Sequence, residues 1–107
     1  MTQEQVIEVS KTQMLNDQFR ESGFGVTLTN GVQSVEDLPG LFQAVRDFND
    51  FTESNDPYGE HDFGSLVWHG EKVFWKIDYY DQESQMWEDP TSQRCRRVMT
   101  VMLAKEY

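Results

Sequence analysis

Large apolar residues recur at every second position from Leu66 to Tyr79, with a break in the rhythm only around Gly70-Glu71. A period of two marks strands that bury one face. A Gly-first pair between two such runs predicts a β-hairpin closed by a II′-type turn. With His69 opposite Lys72, Trp68 faces Val73 and Leu66 faces Trp75, so Leu66, Trp68, Val73, Trp75, Ile77 and Tyr79 share the core face. Val67, His69, Lys72, Phe74, Lys76, Asp78 and Tyr80 then make a half-solvated or partner-facing surface.

Elsewhere the period lengthens. Residues 3–21 lack Gly and Pro, and Ile7, Met14, Leu15 and Phe19, with Val6 beside them, fall near one stripe at helical spacing, which predicts an amphipathic helix. Thr2 and Gln5 fit a capping box, Arg20 suits the C-terminal end of the helix dipole, and Gly23 stands where a C-cap belongs. Val26 and Leu28 alternate with Thr27 and Thr29 in a first strand, which Asn30-Gly31 ends in a tight turn. Residues 32–35 suit either a second short strand or a lead into the next helix. That helix starts near Ser34, carries Glu36, Asp37 and Pro39 early, and buries Leu38, Leu41, Phe42, Val45 and Phe48. Residues 50–63, with Asn55-Asp56-Pro57 and Gly59, read as a loop. Trp87 reads as a lid over the core in preference to an exposed anchor, and residues 98–103 as a buried final strand. The sum is one α+β domain, with two helices packed on one face of a roughly four-stranded antiparallel sheet.

Charge narrows the possible partners. The net charge is −10, and residues 36–89 hold fourteen acids against three bases, a local charge of −11. Direct nucleic-acid binding needs clustered Lys and Arg and is disfavoured, whereas a basic protein surface would be steered toward such a field. No apolar run reaches the ~20 residues of a membrane span, and the first residues lack a signal-peptide pattern, so the expected location is the cytoplasm, with no membrane partner. A single cysteine, Cys95, excludes an internal disulfide and reads as a reduced thiol, although Arg94, Arg96 and Arg97 beside it could depress its pKa.

Candidate chemistry gathers in the loop and the hairpin. Glu53, Asp56, Glu60 and Asp62 crowd together around His61 without a Lys or Arg among them, so a metal ion, a basic partner or the chain's own Arg94, Arg96 and Arg97 must offset the charge, or the carboxylates repel one another in water. The spacing fits no established metal motif. The reading adopted is a loop whose Asp and Asn side chains cap backbone amides, with no metal and no cofactor.

The stretches N-D-P-Y-G-E-H-D-F-G, V-F-W-K-I-D-Y-Y-D and M-L-A-K-E-Y resemble a family of small bacterial proteins known only as a domain of unknown function, over about residues 16–107. The resemblance implies short, single-domain chains from bacterial and mobile-element genomes, and it implies no activity. Glu60, His61, Asp62, Lys76, Asp78 and Asp81 coincide with its signature, as a shared site or a shared structural lock.

Two function classes follow. The first is an acidic, non-enzymatic interaction module, in its narrower form a nucleic-acid mimic that inhibits a host defence protein in the manner of anti-restriction or anti-CRISPR inhibitors. Its binding residues would be Asp56, Glu60, His61, Asp62, Lys76, Asp78 and Asp81. The second is a small metal-dependent or His-based hydrolase. There His61 of the Glu60-His61-Asp62 loop acts as base or acid, Asp62 or Asp78 orients it, and Lys76 stabilises an anion.

Overall fold

The computed structural model describes residues 2–23 and 25–107. In chain order it contains α1 (Gln3–Ser22), β1 (Val26–Leu28), α2 (Asn30–Gln33), α3 (Leu38–Arg46), β2 (Phe63–Trp68), β3 (Glu71–Tyr80), β4 (Arg96–Leu103) and a 3₁₀ turn (Ala104–Glu106). The strands form one sheet in the order β1-β4-β3-β2.

The α+β class and the four strands agree with expectation, but the sheet is mixed. β1 runs parallel to β4, with Val26 opposite Met99 and Leu28 opposite Val101, while the other two pairings are antiparallel. The cause lies at Asn30-Gly31. Instead of closing a tight turn, these residues open α2, where the Thr29 carbonyl accepts from the Gln33 amide and the Gly31 amide donates to the Glu106 carboxylate at 2.9 Å. With no hairpin partner behind it, β1 pairs with the last strand, through the Met99 amide on the Gly25 carbonyl and the Thr29 amide on the Val101 carbonyl.

The hairpin closes one position earlier than the sequence suggested. Trp68 stands opposite Glu71 and Leu66 opposite Val73, so His69 and Gly70 are the two turn residues. Both have positive φ, 47° and 83°, as a type I′ turn requires, and its twist matches that of the strands. The change moves each partner by two positions, so every residue keeps its face. Gly64, not Leu66, now faces Trp75, and a Cβ there would overlap the indole.

The core lies on one side of the sheet. Val73, Trp75, Ile77 and Tyr79 of β3 join Met99, Val101 and Leu103 of β4 beneath Val32 of α2 and Leu41 and Val45 of α3. The second predicted helix therefore exists, but it starts at Leu38. Asp37 is its cap and accepts from the Gly40 amide, and Ser34 closes α2. Among the described residues, three helices, not two, precede the hairpin.

α1 forms where expected, with its Thr2/Gln5 capping box and Gly23 in the left-handed C-cap, but it turns a different stripe inward. Its buried residues are Thr12, Asn16 and Arg20, while Val6, Ile7 and Met14 are exposed. Of the apolar residues, Phe19 packs on the core edge. The buried stripe has i, i+4, i+8 spacing and is polar because the surface beneath it is polar. Trp87 is likewise no lid: it is 69% exposed.

Candidate functional site

The loop leading into β2 is shaped by its own side chains. Thr52 and Asn55 exchange side chain-to-amide hydrogen bonds, Asn55 also donates to the Asp50 carbonyl, and the Gly59 amide donates to the Asp56 carbonyl. This is the capping role expected of Asn and Asp there. The loop then lies along α1: Gln13 donates to the Gly59 carbonyl and Asn16 to the Glu60 carbonyl, each at 3.0 Å. His61 adopts φ 56°, an uncommon conformation for a side chain with a Cβ, and the Asp62 carbonyl accepts from the Ile77 amide, bringing the chain into the sheet.

The His61 ring is held on three sides. Its Nδ1 lies 2.9 and 3.1 Å from the two carboxylate oxygens of Asp17, its Nε2 lies 3.6 Å from Asp56 Oδ2, and its face stacks on Phe51 at 3.7 Å. A carboxylate only accepts, so the proton on Nδ1 donates to Asp17. A carboxylate that orients a ring in this way also occurs behind catalytic imidazoles, but here Nε2 lies against the 7%-exposed Asp56 side chain, while the ring lines a surface groove with Asp17, Arg20, Arg46 and Phe51. Asp17 also pairs with Arg20 at 3.1 Å. The Arg20 guanidinium donates to the Phe48 carbonyl and lies 5.1 Å from the Trp75 ring and 5.4 Å from Phe51. Its Nε is buried without a hydrogen-bond partner, a cost that these aromatic faces offset.

A second network lies beneath the first. Asn16, fully buried, donates to the Tyr79 hydroxyl at 2.8 Å and accepts from Arg97 Nε at 2.7 Å. Arg97 also donates to the Pro90 carbonyl and covers the Tyr79 ring. The Tyr79 hydroxyl reaches Asp62 Oδ2 at 3.5 Å. Burial pushes the Tyr79 phenol well above its ordinary range, against the bond from Asn16, and Asp62 and Glu60 push the same way. Burial raises the Glu60 carboxyl too, and Asp62 and Asp56 add to it. Asp62 is raised chiefly by its burial, with Asp56 and Asp78 contributing.

The expected site residues thus separate into groups. Asp56, Glu60, His61 and Asp62 gather beneath α1. Lys76 and Asp78 pair with each other at 3.0 Å on the opposite face of the sheet, so neither orients His61. Asp81 shapes the turn after β3, accepting from the Glu83 and Gln85 amides. Among the described residues, no group of three or more His, Cys, Asp and Glu could hold a metal ion. Cys95 is partly buried, and that burial pushes its thiol up despite Arg97.

Asn16, Asp17, Arg20 and Tyr79 were missed as members of this cluster, whereas Arg97 was among the arginines considered for it. The available signal was the Thr12-Asn16-Arg20 spacing on α1, which a search for apolar periodicity passes over.

No curated protein and no solved structure matches the chain. A family model described as "Protein of unknown function (DUF3768)" matches residues 28–106, a span that holds Asp56, Glu60, His61, Asp62, Lys76, Asp78 and Asp81 and leaves α1 outside. The chain therefore belongs to the DUF3768 family.

Proposed function

We propose that the protein is an acidic, non-enzymatic interaction module that engages a basic protein surface. The observation that carries this reading is the segment after β3, where Met86 and Trp87 are 70% and 69% exposed among Asp81, Glu83, Glu88 and Asp89. The segment is built as a turn. Asp81 accepts from two of its amides, the Asp81 amide donates to the Met86 carbonyl at 2.8 Å, and Asp89 accepts from the Thr91 amide and hydroxyl. An exposed tryptophan on a hydrogen-bonded turn, flanked in sequence by carboxylates, suits a contact whose centre is aromatic and whose rim is charged. Support also comes from His61: a hydrolase reading needs Nε2 open to substrate, and Asp56 stands in front of it.

The narrower form, in which spaced carboxylates stand in for phosphates on a nucleic-acid-binding protein, draws its support from the acidity alone. The test is a titration against a panel of purified basic nucleic-acid-binding proteins over a salt series. Binding that weakens with salt and drops by about tenfold in Trp87→Ser supports the module. Competition by DNA supports the narrower form. Absence of binding across the panel at low salt, or indifference to Trp87→Ser, overturns the reading.

A further inference from the structure

The sheet face away from the helices is the chemical opposite of the acidic loop. The strands turn Lys72, Lys76 and Arg96 toward it and one acid, Asp78; Lys76 and Asp78 pair with each other at 3.0 Å, so the positive character of this face rests on Lys72 and Arg96, in a chain of charge −10. It is also aromatic. Phe63 and Phe74 lie 5.2 Å apart, the Tyr107 ring meets Phe74 at 5.7 Å, and Lys72 Nζ sits 5.5 Å over Phe74. Tyr107 and Val67 are 78% and 70% exposed. Among the described residues, α1, α2 and α3 pack on the other side of the sheet, and Trp87 remains exposed.

We propose that this face takes the Met86-Trp87 loop of a second copy, in a two-fold dimer where each chain gives its loop and receives its partner's. The inference rests on the reading of that loop as the contact element and names its partner. Complementarity carries it. The loop offers an indole and a thioether among four carboxylates, and the face offers rings with Lys72 and Arg96 beside the Lys76–Asp78 pair, so each side supplies what the other lacks. Overall negative charge does not forbid the pairing, because charges farther away than the Debye length of about 8 Å are screened at physiological salt. Reciprocal exchange leaves neither surface unpaired and closes the assembly.

The experiment is sedimentation velocity of the full chain over a dilution series, with two variants. Trp87→Ser removes the inserted ring, and Lys72→Glu/Arg96→Glu inverts the receiving face at exposed positions away from the core. Wild type is expected to dimerise, with salt weakening the dimer. Each variant alone should dissociate at least about tenfold more readily. An equimolar mixture of the two should recover a mixed dimer, because one intact loop still meets one intact face. A wild type that stays monomeric at every concentration overturns the proposal. So does a dimer that either variant leaves unchanged, or a mixture that recovers nothing. Titration of a basic protein separates the two readings: if it still depends on Trp87 while the chain is monomeric, only the self-partner fails, and if that dependence is lost as well, both fail.

Discussion

Asn16 on α1 and Tyr79 on β3, 63 residues apart in the chain, share a buried 2.8 Å hydrogen bond that fastens the first helix to the central strand. Replacing Asn16 with Leu removes that bond and the acceptor for Arg97 Nε, and it leaves the Tyr79 hydroxyl only its 3.5 Å contact with Asp62. The expected loss is about 2 to 4 kcal/mol in urea unfolding. Tyr79→Phe should cost about 1 to 2 kcal/mol, because Asn16 keeps the Glu60 carbonyl as a partner. The double variant should cost less than the sum of the two.

Gly64 faces Trp75 across the hairpin, and a methyl group there meets the indole. Gly64→Ala is therefore expected to destabilise by about 2 kcal/mol or more through overpacking, and Trp75→Ala by about 3 to 5 kcal/mol through the cavity it leaves. Lys76→Ala, on the open face, should stay within about 0.5 kcal/mol of wild type. Thermal and urea midpoints measure all three, and a near-native Trp75→Ala midpoint would contradict the packing described.

Glu60 and Asp62 are both pushed up in the fold by burial and by their acidic neighbours. An acid whose folded pKa lies above its unfolded one keeps its proton longer in the native state. Its contribution therefore favours folding at low pH and is lost as pH rises from the unfolded value through the folded one. Glu60→Gln removes that ionisation and should raise Tm at pH 7 by about 1 to 4 °C, a modest gain because the group is partly solvated. The gain should vanish on acidification below the ordinary carboxylate range, and melting curves across pH measure it.

α1 gives a comparison of its two faces. Ile7→Glu, on the exposed side, should change stability by no more than about 0.5 kcal/mol, whereas Thr12→Glu places a charge on the buried stripe and should cost about 2 kcal/mol or more. Urea unfolding of the two variants measures the difference, and the opposite order would mean that the apolar stripe is the packed one.

The hairpin, α3 and the final strand were legible because their buried side chains are apolar, and apolar periodicity reports them directly. α1 was legible as a helix but not in its orientation. Its inner stripe is polar and becomes buried only because Tyr79, Glu60 and Arg97 are waiting beneath it, partners that local sequence cannot name. The same blindness scattered the candidate site. Glu60, His61 and Asp62 were found from their density, but Asp17, which orients His61, lies 44 positions earlier. Lys76 and Asp78 were grouped with His61 through the shared family signature, although the alternation along β3 already set them on the other face, where the structure has them. Asn30-Gly31 misled because the same dipeptide serves a hairpin turn and the first residues of a short helix.

The parallel pairing of β1 with β4 sets an order on how the molecule can be made. Thr29 and Val101, joined by a backbone hydrogen bond, stand 72 residues apart, so the early strand can be seated only after the final one has emerged from the ribosome. Until then β3 is missing a neighbour, and the Trp75 face lacks the cover that Met99 and Val101 bring. Such late, long-range closure favours slow folding and leaves the nascent chain open to chaperones and to misassembly.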